Sequence, residues 1–304
     1  MDLVSIEVFL AVARTKSVSK AARTLFVSQS TVSYRLKLLE EELSCTLVER
    51  GRGQNQTMLT KEGEAFFPIA ERMKNIRYDI EAFKESSRHP VITIGCVESM
   101  GLYLLDELYN RIVRRNGQIK MHFMLNDNDK LYEMVEGGQV DLAYIVETQR
   151  QKNITAVPVF AEQMILAASK DMHFTGKSVH PEELDIRDAC QFDWKEQGLS
   201  LWYAHWFDPK ELPFLKTNSP PLALNFMKTH SCWAIVPYSM GMRLEKEAGM
   251  RLYTIKDAPP ERVCYRIESK NLRHLYPDAI RYWDKEAERF IRSKPWLATA
   301  VEEK

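Results

Sequence analysis

The side chains best suited to chemistry in this sequence form one polar run near its N-terminus. Gln29, Ser33 and Tyr34 offer an amide and two hydroxyls at spacings that fall on one face of a helix. A glutamine amide can pair bidentately with N6 and N7 of adenine, and hydroxyls can reach base edges or phosphates. The run therefore predicts hydrogen bonding to nucleic acid, and a solvated face of a small helical bundle is the alternative interpretation.

Motifs for catalysis do not accompany this run. The sequence lacks a P-loop, a G-x-S-x-G nucleophile motif, an H-E-x-x-H zinc motif and a G-x-G-x-x-G dinucleotide fingerprint. Its seven histidines are dispersed without ligand spacing, and its five cysteines never form a C-x-x-C pair. We therefore expect no enzyme, no metal and no cofactor. A thiol redox switch is disfavoured, although Cys232 and Cys264 could meet in the fold.

Positive charge is concentrated at the same end of the chain. The 304 residues contain 42 Lys+Arg and 42 Asp+Glu, a formal net charge of zero. Residues 1–39 hold six basic side chains and two acids, a net charge of +4, which leaves −4 for residues 40–304. Such asymmetry suits phosphate neutralisation by one small module. The cysteine usage, the acidic N-terminus and the lack of a long apolar run lead us to expect a soluble, cytoplasmic protein with no membrane partner.

Three short helices must position the polar run. Apolar residues recur at helical spacing from Leu3 to Ala13, which predicts a first helix. Ser17 or Ser19 can cap a second helix, and Ser28 can cap a third that carries the polar face. This is the layout of a helix-turn-helix, in which the N-terminal residues of the last helix enter the major groove.

A polar, glycine-containing segment at residues 51–56 lies between apolar flanks and predicts a hairpin wing, with a plain surface turn as the alternative. Arg52 would reach a minor groove or a phosphate, and Arg35 and Lys37 would neutralise phosphates. The residues predicted to bind DNA are Ser28, Gln29, Ser30, Ser33, Tyr34, Arg35, Lys37, Arg50 and Arg52.

A long helix is predicted to follow, with Thr60 as its N-cap and its end just before Pro90. Its apolar residues recur at intervals of 3, 4, 3, 4 and 3, a heptad seam that could lie on its own domain or pair with a second copy. Dimerisation is favoured, because a twofold pair of recognition helices would match an inverted repeat. Pro68 should kink the helix or break its first turns. The seam consists of Phe66, Ile69, Met73, Ile76, Ile80 and Phe83.

The first 63 residues resemble the LysR-type transcriptional regulators. The resemblance is carried by Ala21-Ala22-x-x-Leu25-x-x-Ser28-Gln29-Ser30-x-x-Ser33, Leu39-Glu40-x-x-Leu43, Leu47-x-x-Arg50 and Leu59-Thr60-x-x-Gly63. Ser44 stands where the family usually has a turn glycine, and Val48 replaces its usual phenylalanine, so these departures concern wing geometry. The resemblance implies a winged helix-turn-helix, a dimerising linker helix and an effector domain similar to periplasmic solute-binding proteins. It also implies assembly into tetramers.

The rest of the chain alternates between strand and helix patterns, which predicts an α/β architecture with a parallel sheet and helices on both faces. Strands are predicted at 91–97, 120–125, 142–146, 164–168, 233–237 and 263–267, and helices at 102–114, 130–136 and 278–293. The predicted domains are a DNA-binding domain at 1–59, a dimerisation helix at 60–88 and an effector-binding domain at 89–304. Within the last, lobe I would comprise about 89–165 and 266–304, and lobe II about 166–265.

A small-molecule effector is expected between the two lobes, since ligands of open α/β sheets bind outside the carboxyl ends of strands. Ser99 lies at the position that the family uses at its cleft, although it could merely cap a helix. Glu98 disfavours a simple carboxylate effector unless a cation compensates. His230 and Cys232 replace two glycines common in the family and would narrow the pocket. Tryptophans could line it or belong to the core. The predicted effector-binding residues are Glu98, Ser99, Met100, Trp194, Ser200, Trp202, Cys232 and Trp233.

Together these features predict a sequence-specific, DNA-binding transcriptional regulator whose activity a small-molecule effector modulates. Its partners would be double-stranded promoter DNA with an inverted repeat, the effector, a second copy of the chain and RNA polymerase. Effector closure of the clamshell would change how the subunits are spaced on DNA. The alternative is a small-molecule binding or transport-type protein whose N-terminal helices only dimerise, and removal of residues 1–60 would separate the two.

Overall fold

Helix caps and apolar periodicity define the first of two structural units. A computed structural model describes residues 2–50, 57–85, 90–115, 119–271 and 274–299. The first unit is Met1–His89 with Gly137–Gln139, and the second is Pro90–Glu136 with Val140–Lys304. None of the helices in the described ranges combines the length and the apolar character that a membrane span needs. The elements of the first unit are α1 (Leu3–Thr15), α2 (Val18–Thr24), α3 (Gln29–Leu43), β1 (Val48–Arg50), β2 (Thr57–Leu59) and α4 (Lys61–Glu85).

Polar side chains begin each of the first three helices. Asp2 accepts the backbone N–H of Ser5, Ser17 caps α2, and Ser28 caps α3. These caps satisfy backbone donors that a helix start otherwise leaves without partners. Of the two serines proposed to cap the second helix, the structure uses Ser17.

The apolar faces of α1, α2 and α3 meet the start of α4 in one core. Phe9 lies at its centre, with its ring centroid 5.3 Å from that of Phe66. Gly63 lets α4 pass close to Leu47, directly before β1, because a Cβ on Gly63 would clash with the carbonyl oxygen of Leu47. The strands β1 and β2 pair antiparallel, as the flanks of a hairpin do. The wing tip, residues 51–56, falls outside the described residues.

The predicted break of the linker helix at Pro68 is wrong, since α4 runs from Lys61 to Glu85 with Pro68 inside it. Proline removes one hydrogen bond, to the carbonyl four residues earlier, which belongs to Glu64. Both Glu64 and Pro68 are exposed, so water can satisfy that carbonyl on the solvent side of the helix. The predicted helix end before Pro90 lies at residues 86–89, outside the described ranges.

The second unit contains two α/β lobes, joined where the chain crosses between two sheets. Lobe I is built from β3 (Val91–Cys96), α5 (Glu98–Tyr103), α6 (Leu105–Arg115), β4 (Lys120–Leu125), α7 (Asn128–Glu136), β5 (Leu142–Val146) and β6 (Ile154–Glu162). Lobe II contains β7 (Met164–Ala168), β8 (Ser178–Val179), β9 (Cys190–Phe192), α8 (Gln197–Trp206), β10 (Leu215–Thr217), α9 (Pro220–Met227), β11 (Trp233–Pro237), α10 (Tyr238–Ala248) and β12 (Arg251–Ile255), with short 3₁₀ turns at Pro181–Glu183 and Ile186–Asp188. The chain returns to lobe I through β13 (Arg262–Ser269), α11 (Pro277–Arg292) and β14 (Leu297–Thr299).

The sheet of lobe I has the order β14-β6-β13-β5-β3-β4. Strand β3 pairs parallel with β4 and β5, whereas β13 pairs antiparallel with β5 and β6. The sheet is therefore mixed. The predicted parallel pairing is confirmed for β3 with β4 and β5, whereas β13 returns from lobe II in the opposite direction and pairs antiparallel. The long strand β6, which the sequence analysis did not identify, is the first crossing into lobe II.

Lobe II has a sheet of order β11-β7-β12-β8, and a parallel bridge between Ala189 and Trp233 links it to the pair β10-β9. The lobe boundaries are set by two short connections, between Glu162 and Met164 and between Ile255 and Arg262. Glu162 and Arg262 face each other in the register of β6 and β13. The two charged residues therefore stand side by side where the chain passes between lobes.

One predicted helix of lobe I is in fact two. The sequence predicts a single helix at 102–114, but α5 starts at Glu98 and ends at Tyr103, and α6 begins at Leu105. Leu104 between them has φ −124° and a buried side chain. Apolar spacing continues across this junction, so periodicity alone could not reveal the change of direction.

Candidate functional site

The N-terminal turn of α3 presents hydroxyls rather than acids. The Ser28 hydroxyl accepts the backbone N–H of Thr31 at 3.1 Å and lies 2.8 Å from the Ser30 hydroxyl oxygen. The Ser19 hydroxyl of α2 donates to the Gln29 amide oxygen at 3.2 Å, which fixes the amide at the start of α3. The first turn of α3 therefore offers polar groups that carry no negative charge.

The outer face of α3 is open to solvent over three turns. Tyr34 is 61% exposed, and Lys37 lies 3.5 Å from Glu41, one turn further on. The inward face is buried through Val32, Leu36 and Leu39. The exposed residues of this face, all predicted to bind DNA, are Ser28, Gln29, Ser30, Ser33, Tyr34 and Lys37.

Arg35 stands apart from the other predicted phosphate contacts. Its guanidinium forms an ion pair with Asp2, the cap of α1, and its side chain is one-third exposed. The hydrogen bond from the Ser5 backbone, helped by Arg35, lowers the pKa of Asp2. Arg35 therefore ties α3 to the start of α1 in this structure. The side chain of Arg50 and the whole of Arg52 lie outside the described parts of the chain.

The seam of α4 divides between two directions. Phe66 is 8% exposed and packs on Phe9, and Met73 contacts the same core. A role for Phe66 in dimer contacts conflicts with this burial, because its ring is already used inside the unit. The seam residues that remain about half exposed are Ile69, Ile76 and Ile80. The side chain of Phe83 is not among the described ones.

A buried arginine joins the two lobes at the place where the effector was predicted to bind. Arg262, the first residue of β13, donates from Nε to both carboxylate oxygens of Glu196, at 3.0 and 3.2 Å, and from Nη2 to Oε1 at 2.6 Å. Its Nη1 donates to the Ser99 hydroxyl at 2.8 Å. Arg262 and Glu196 are each 7% exposed and Ser99 is 4% exposed. One guanidinium thus joins α5 of lobe I to the start of α8 in lobe II.

A second carboxyl group lies beside this pair. Glu162, 3% exposed, accepts the backbone N–H of Ser239 at the start of α10. Burial raises the pKa of Glu162, and the charge of Glu196 acts in the same direction, whereas Ser239 and Arg262 oppose the rise. The carboxylate that binds Arg262 directly is therefore that of Glu196.

The other predicted effector residues of lobe I lie around Ser99. Glu98 begins α5 and is half-buried, and this burial raises its pKa. Met100 is buried, with its sulfur 3.5 Å from the Cys264 sulfur. Ser99 bonds to Arg262, a contact that a pure capping role does not include.

Of the three tryptophans predicted to bind the effector, Trp194 is the one that contacts Arg262 in the described part of the chain. Trp194 stacks on Phe192 with centroids 4.4 Å apart, and the Arg262 guanidinium carbon lies 4.9 Å from the Trp194 ring centroid. Trp202 and Trp233 instead belong to the core of lobe II. Their indole N–H groups donate to the carbonyls of Asp257 and Asp185, each at 2.7 Å. The placement of both rings agrees with the alternative that these tryptophans are core residues.

Ser200 and the residues that replace family glycines also lie away from Arg262. Ser200 is exposed on α8. His230 is exposed, and its ring stacks on Phe226 with centroids 4.1 Å apart. Cys232 is buried, and its backbone N–H donates a hydrogen bond to the Ser169 hydroxyl at 3.0 Å. These residues shape lobe II rather than the arginine cluster.

The expectation that Cys232 and Cys264 could meet is wrong. Cys264 lies in the core of lobe I with Cys96, and Cys232 lies in that of lobe II with Cys190. Burial raises the pKa of Cys96 and Cys232 to about 11 and that of Cys190 to about 12. Thiols protonated to this degree are poor nucleophiles, which argues against a redox switch.

Sequence reasoning missed Arg262, Glu196 and Glu162 as site residues. Glu196 and Arg262 are separated by 66 positions, so spacing gives no indication that they pair. One usable signal was present, because Glu261 and Arg262 precede the strand pattern at 263–267, and a charge at the edge of a buried strand requires a partner.

A helix-turn-helix whose outer face has no acid before Glu40, together with a two-lobed α/β unit, defines a DNA-binding regulator of the effector-responsive class. The model of the bacterial regulatory helix-turn-helix protein, lysR family, matches residues 3–64, and that of the LysR substrate binding domain matches residues 85–274. The chain therefore belongs to the LysR family of transcriptional regulators. It is a DNA-binding transcriptional regulator with an effector-binding domain, as the sequence predicts.

Known proteins of this family match the chain along its length. The HTH-type transcriptional regulator CitR of Bacillus subtilis (strain 168) is 22% identical over 306 residues, covering 96% of this chain and 97% of its own. The crystal structure of CbnR, a LysR family transcriptional regulator, superimposes with a TM-score of 0.64 at 17% identity, covering 95% of this chain and 99% of CbnR. Full-length CbnR complexed with its target DNA gives a TM-score of 0.54 at 18% identity, with the same coverage. At these identities the structural likeness concerns the fold.

Proposed function

We propose that the chain acts as a homodimer that recognises an inverted repeat in promoter DNA and responds to a small molecule bound between its lobes. The domain roles would be DNA binding by residues 1–59, dimerisation by 60–88 and effector binding by 89–304. Tetramer formation and contact with RNA polymerase extend this proposal, and no catalytic role belongs to it. The observation that carries it is the exposed outer face of α3, which is polar, has no acid before Glu40 and adjoins the cationic N-terminal segment.

Base reading is assigned to the start of α3. Gln29 supplies an amide suited to adenine, with Ser33 and Tyr34 beside it on the exposed face. Lys37 and the cations of the wing would neutralise phosphates. CbnR, which has the same fold, has been crystallised in complex with its target DNA. Arg35 is the weakest member of the predicted set, because binding a phosphate would compete with its ion pair to Asp2.

The dimer contact is assigned to the exposed part of the α4 seam. Ile69, Ile76 and Ile80 follow one another by seven and four residues, so they share one side of the helix. Three isoleucines about half exposed on a single helix are a costly apolar surface unless another helix covers them. A second copy of α4 supplies the same row, as a twofold dimer requires.

Effector binding is assigned to the interlobe cleft around Ser99, Glu98 and Trp194. The arginine cluster there is buried, charged and shared between lobes, so a ligand that changes its bonding changes the relation of the two lobes. A ligand can shift such an equilibrium only by its differential affinity for the two arrangements. Arg262 contacts residues of both lobes, so a ligand that replaces one of these contacts would bind the two arrangements with different affinities.

The base-reading assignment is tested by Gln29→Ala in the full chain. A binding site is first selected from random-sequence DNA with the unaltered protein, and affinities are then compared on this site and on unrelated DNA. Loss of a bidentate contact weakens binding to the selected site by about 5- to 150-fold, corresponding to about 1–3 kcal/mol, and leaves unrelated DNA nearly unchanged. Gln197→Ala, the same change at an exposed position of lobe II, serves as the control. Equal losses on both DNAs would exclude base reading by Gln29.

A salt series on the same DNA tests the electrostatic part of the proposal. Neutralised phosphates release counterions, so the logarithm of the affinity should fall linearly with the logarithm of the salt concentration. An affinity that does not change with salt would contradict DNA binding by the cationic module and favour a role restricted to dimerisation.

A further inference from the structure

The buried guanidinium of Arg262 is bound by a carboxylate of the same chain, that of Glu196. Arg262 lies at the second crossing between lobes, Ser99 on α5 of lobe I and Glu196 directly before α8 of lobe II. The Glu196 carboxylate is bound through both oxygens, the arrangement in which arginine also binds free carboxylates. The Ser99 hydroxyl accepts a further hydrogen bond from the same guanidinium. These contacts define a carboxylate-sized position with its own occupant.

The structure assigns Arg262 and Ser99 as a carboxylate-binding subsite in which Glu196 acts as an internal ligand, displaced when an effector carrying a carboxylate binds. This inference rests on the proposed function, since it names the chemical class of the effector. A neutral effector could not replace Glu196 without leaving the buried guanidinium unpaired, and an unpaired buried charge is strongly unfavourable.

The neighbouring charges favour a single anion at this position. Glu162 lies across the strand pair from Arg262, and its carboxyl group is held by the Ser239 backbone N–H. Burial raises the pKa of Glu162, whereas the Glu196 carboxylate accepts three hydrogen bonds from the guanidinium. Glu196 therefore occupies the side of the guanidinium that a carboxylate from outside would need, and such a carboxylate can bind there only after Glu196 has left.

Glu196 is well placed to leave because it belongs to the edge of lobe II. It precedes α8, and its side chain does not cap that helix. The first turn of α8 also touches lobe I, where the Gly198 backbone N–H donates to the Glu147 carboxylate at 3.3 Å. Both carboxylate contacts hold α8 against lobe I, so movement of α8 would release Glu196 from Arg262. Displacement of the internal ligand is thus coupled to the lobe contact.

An internal ligand also limits sensitivity to free acids. A tethered group acts at an effective concentration of millimolar or more, so a free carboxylate must compete with it. Removal of Glu196 should therefore expose a site for small carboxylates that the unaltered protein does not bind measurably at the same concentration. The alternative is that the pair is only a structural ion pair, in which case no external anion would replace the lost side chain.

The test is chemical rescue of Glu196→Ala in the full-length protein. Thermal unfolding is measured in sodium acetate, in sodium chloride of equal ionic strength and in acetamide, the neutral analogue of acetate. The variant should unfold at a lower temperature than the unaltered protein in chloride and acetamide. In about 0.1 M acetate its Tm should rise by about 3–6 °C, the shift expected when a ligand is present at roughly ten times its dissociation constant.

Two further variants decide what acetate is binding. Glu196→Ala combined with Arg262→Met removes the guanidinium, so acetate should no longer raise its Tm. Glu245→Ala removes an exposed carboxylate of lobe II and should show no acetate effect. If Glu196→Ala does not fold well enough to measure, Glu196→Gln is subjected to the same three solutions, with a smaller but still acetate-specific rise expected.

Three results would overturn the subsite. These are a rise in Tm equal in chloride or acetamide, a rise that persists without Arg262, and a destabilised variant that acetate does not rescue. None of these readouts involves DNA. The subsite can therefore fail while DNA recognition stands, and loss of base reading by the Gln29 variant would leave the rescue result intact.

Discussion

Replacing Ser44 by glycine should stabilise the DNA-binding unit. Ser44 ends α3 with φ 54° and ψ 31°, a left-handed conformation. Its backbone N–H donates to the carbonyls of Glu40 and Glu41, and Cys45 donates to Glu40 at 3.1 Å, so the turn is fixed by hydrogen bonds. The position is the one at which the family usually has glycine, and this chain retains the conformation without it.

The magnitude follows from two opposing contributions. An L-residue in the left-handed region loses about 1–2 kcal/mol from the approach of its Cβ to the backbone, and glycine avoids this loss. Glycine also gives the unfolded chain more freedom, which costs about 0.5–1 kcal/mol. Ser44 is exposed, so little packing is lost. The net gain is about 0.5–1 kcal/mol, or roughly 3–6 °C in the Tm of a unit of this size.

The assay is calorimetric unfolding of the full chain, with Ser33→Gly as the matched control. Ser33 is exposed inside the same helix, where glycine should cost about 0.5 kcal/mol because the residue is right-handed. The same serine-to-glycine change should therefore raise the Tm when it is made at position 44 and lower the Tm when it is made at position 33. A Tm that falls for both variants would refute the reasoning, since it would show that backbone strain at Ser44 is negligible.

Two further predictions concern association and pH. Ile76→Asp should raise the dimer dissociation constant by at least about 100-fold in sedimentation equilibrium, since it places a charge in an apolar contact. Ile76→Leu should leave the constant nearly unchanged. An unchanged dimer in the aspartate variant would contradict the assignment of this contact. The carboxylates of Asp141 and Glu268, 3.6 and 3.3 Å from the two ring nitrogens, raise the pKa of His274 above 6.5. Its stabilising contribution is therefore full below that value and is lost as pH rises through the raised pKa. The Tm of His274→Ala should consequently vary less between about pH 6 and pH 8 than that of the unaltered protein or of His173→Ala, an exposed control; equal slopes would contradict the linkage.

Local patterns were sufficient to predict most helices and strands. The strands Leu142–Val146 and Trp233–Pro237 have the predicted bounds, because an apolar run between turn signals describes a buried strand directly. The strand Ile154–Glu162 was missed because exposed and buried residues mix along it and Pro158 interrupts the pattern. Its place in the sheet depends on β13, more than 100 residues later.

The candidate sites differ in the same way, since one depends on local spacing and the other on contacts between residues distant in sequence. The polar face of α3 follows from helical spacing alone, and it is exposed as expected through Gln29 and Tyr34. The cleft does not follow from spacing, because Arg262 meets Glu196 and Ser99 only after two lobes have folded and approached each other. Aromatic residues were misleading for a similar reason, since sequence gives the type of a ring but not whether a core or a cleft surrounds it.

The sequence by itself determined the family, the polar face of the reading helix and the apolar rows, since each depends on neighbours within one or two helical turns. Tertiary structure decided how those rows are used. In α4 it turned Phe66 inward onto Phe9 and left Ile76 exposed, because the other helices of the unit cover only one side of the seam. It also decided that Arg262 is neutralised by Glu196 of its own chain, because burial and distance, which set the energy of a charge, exist only in the folded protein.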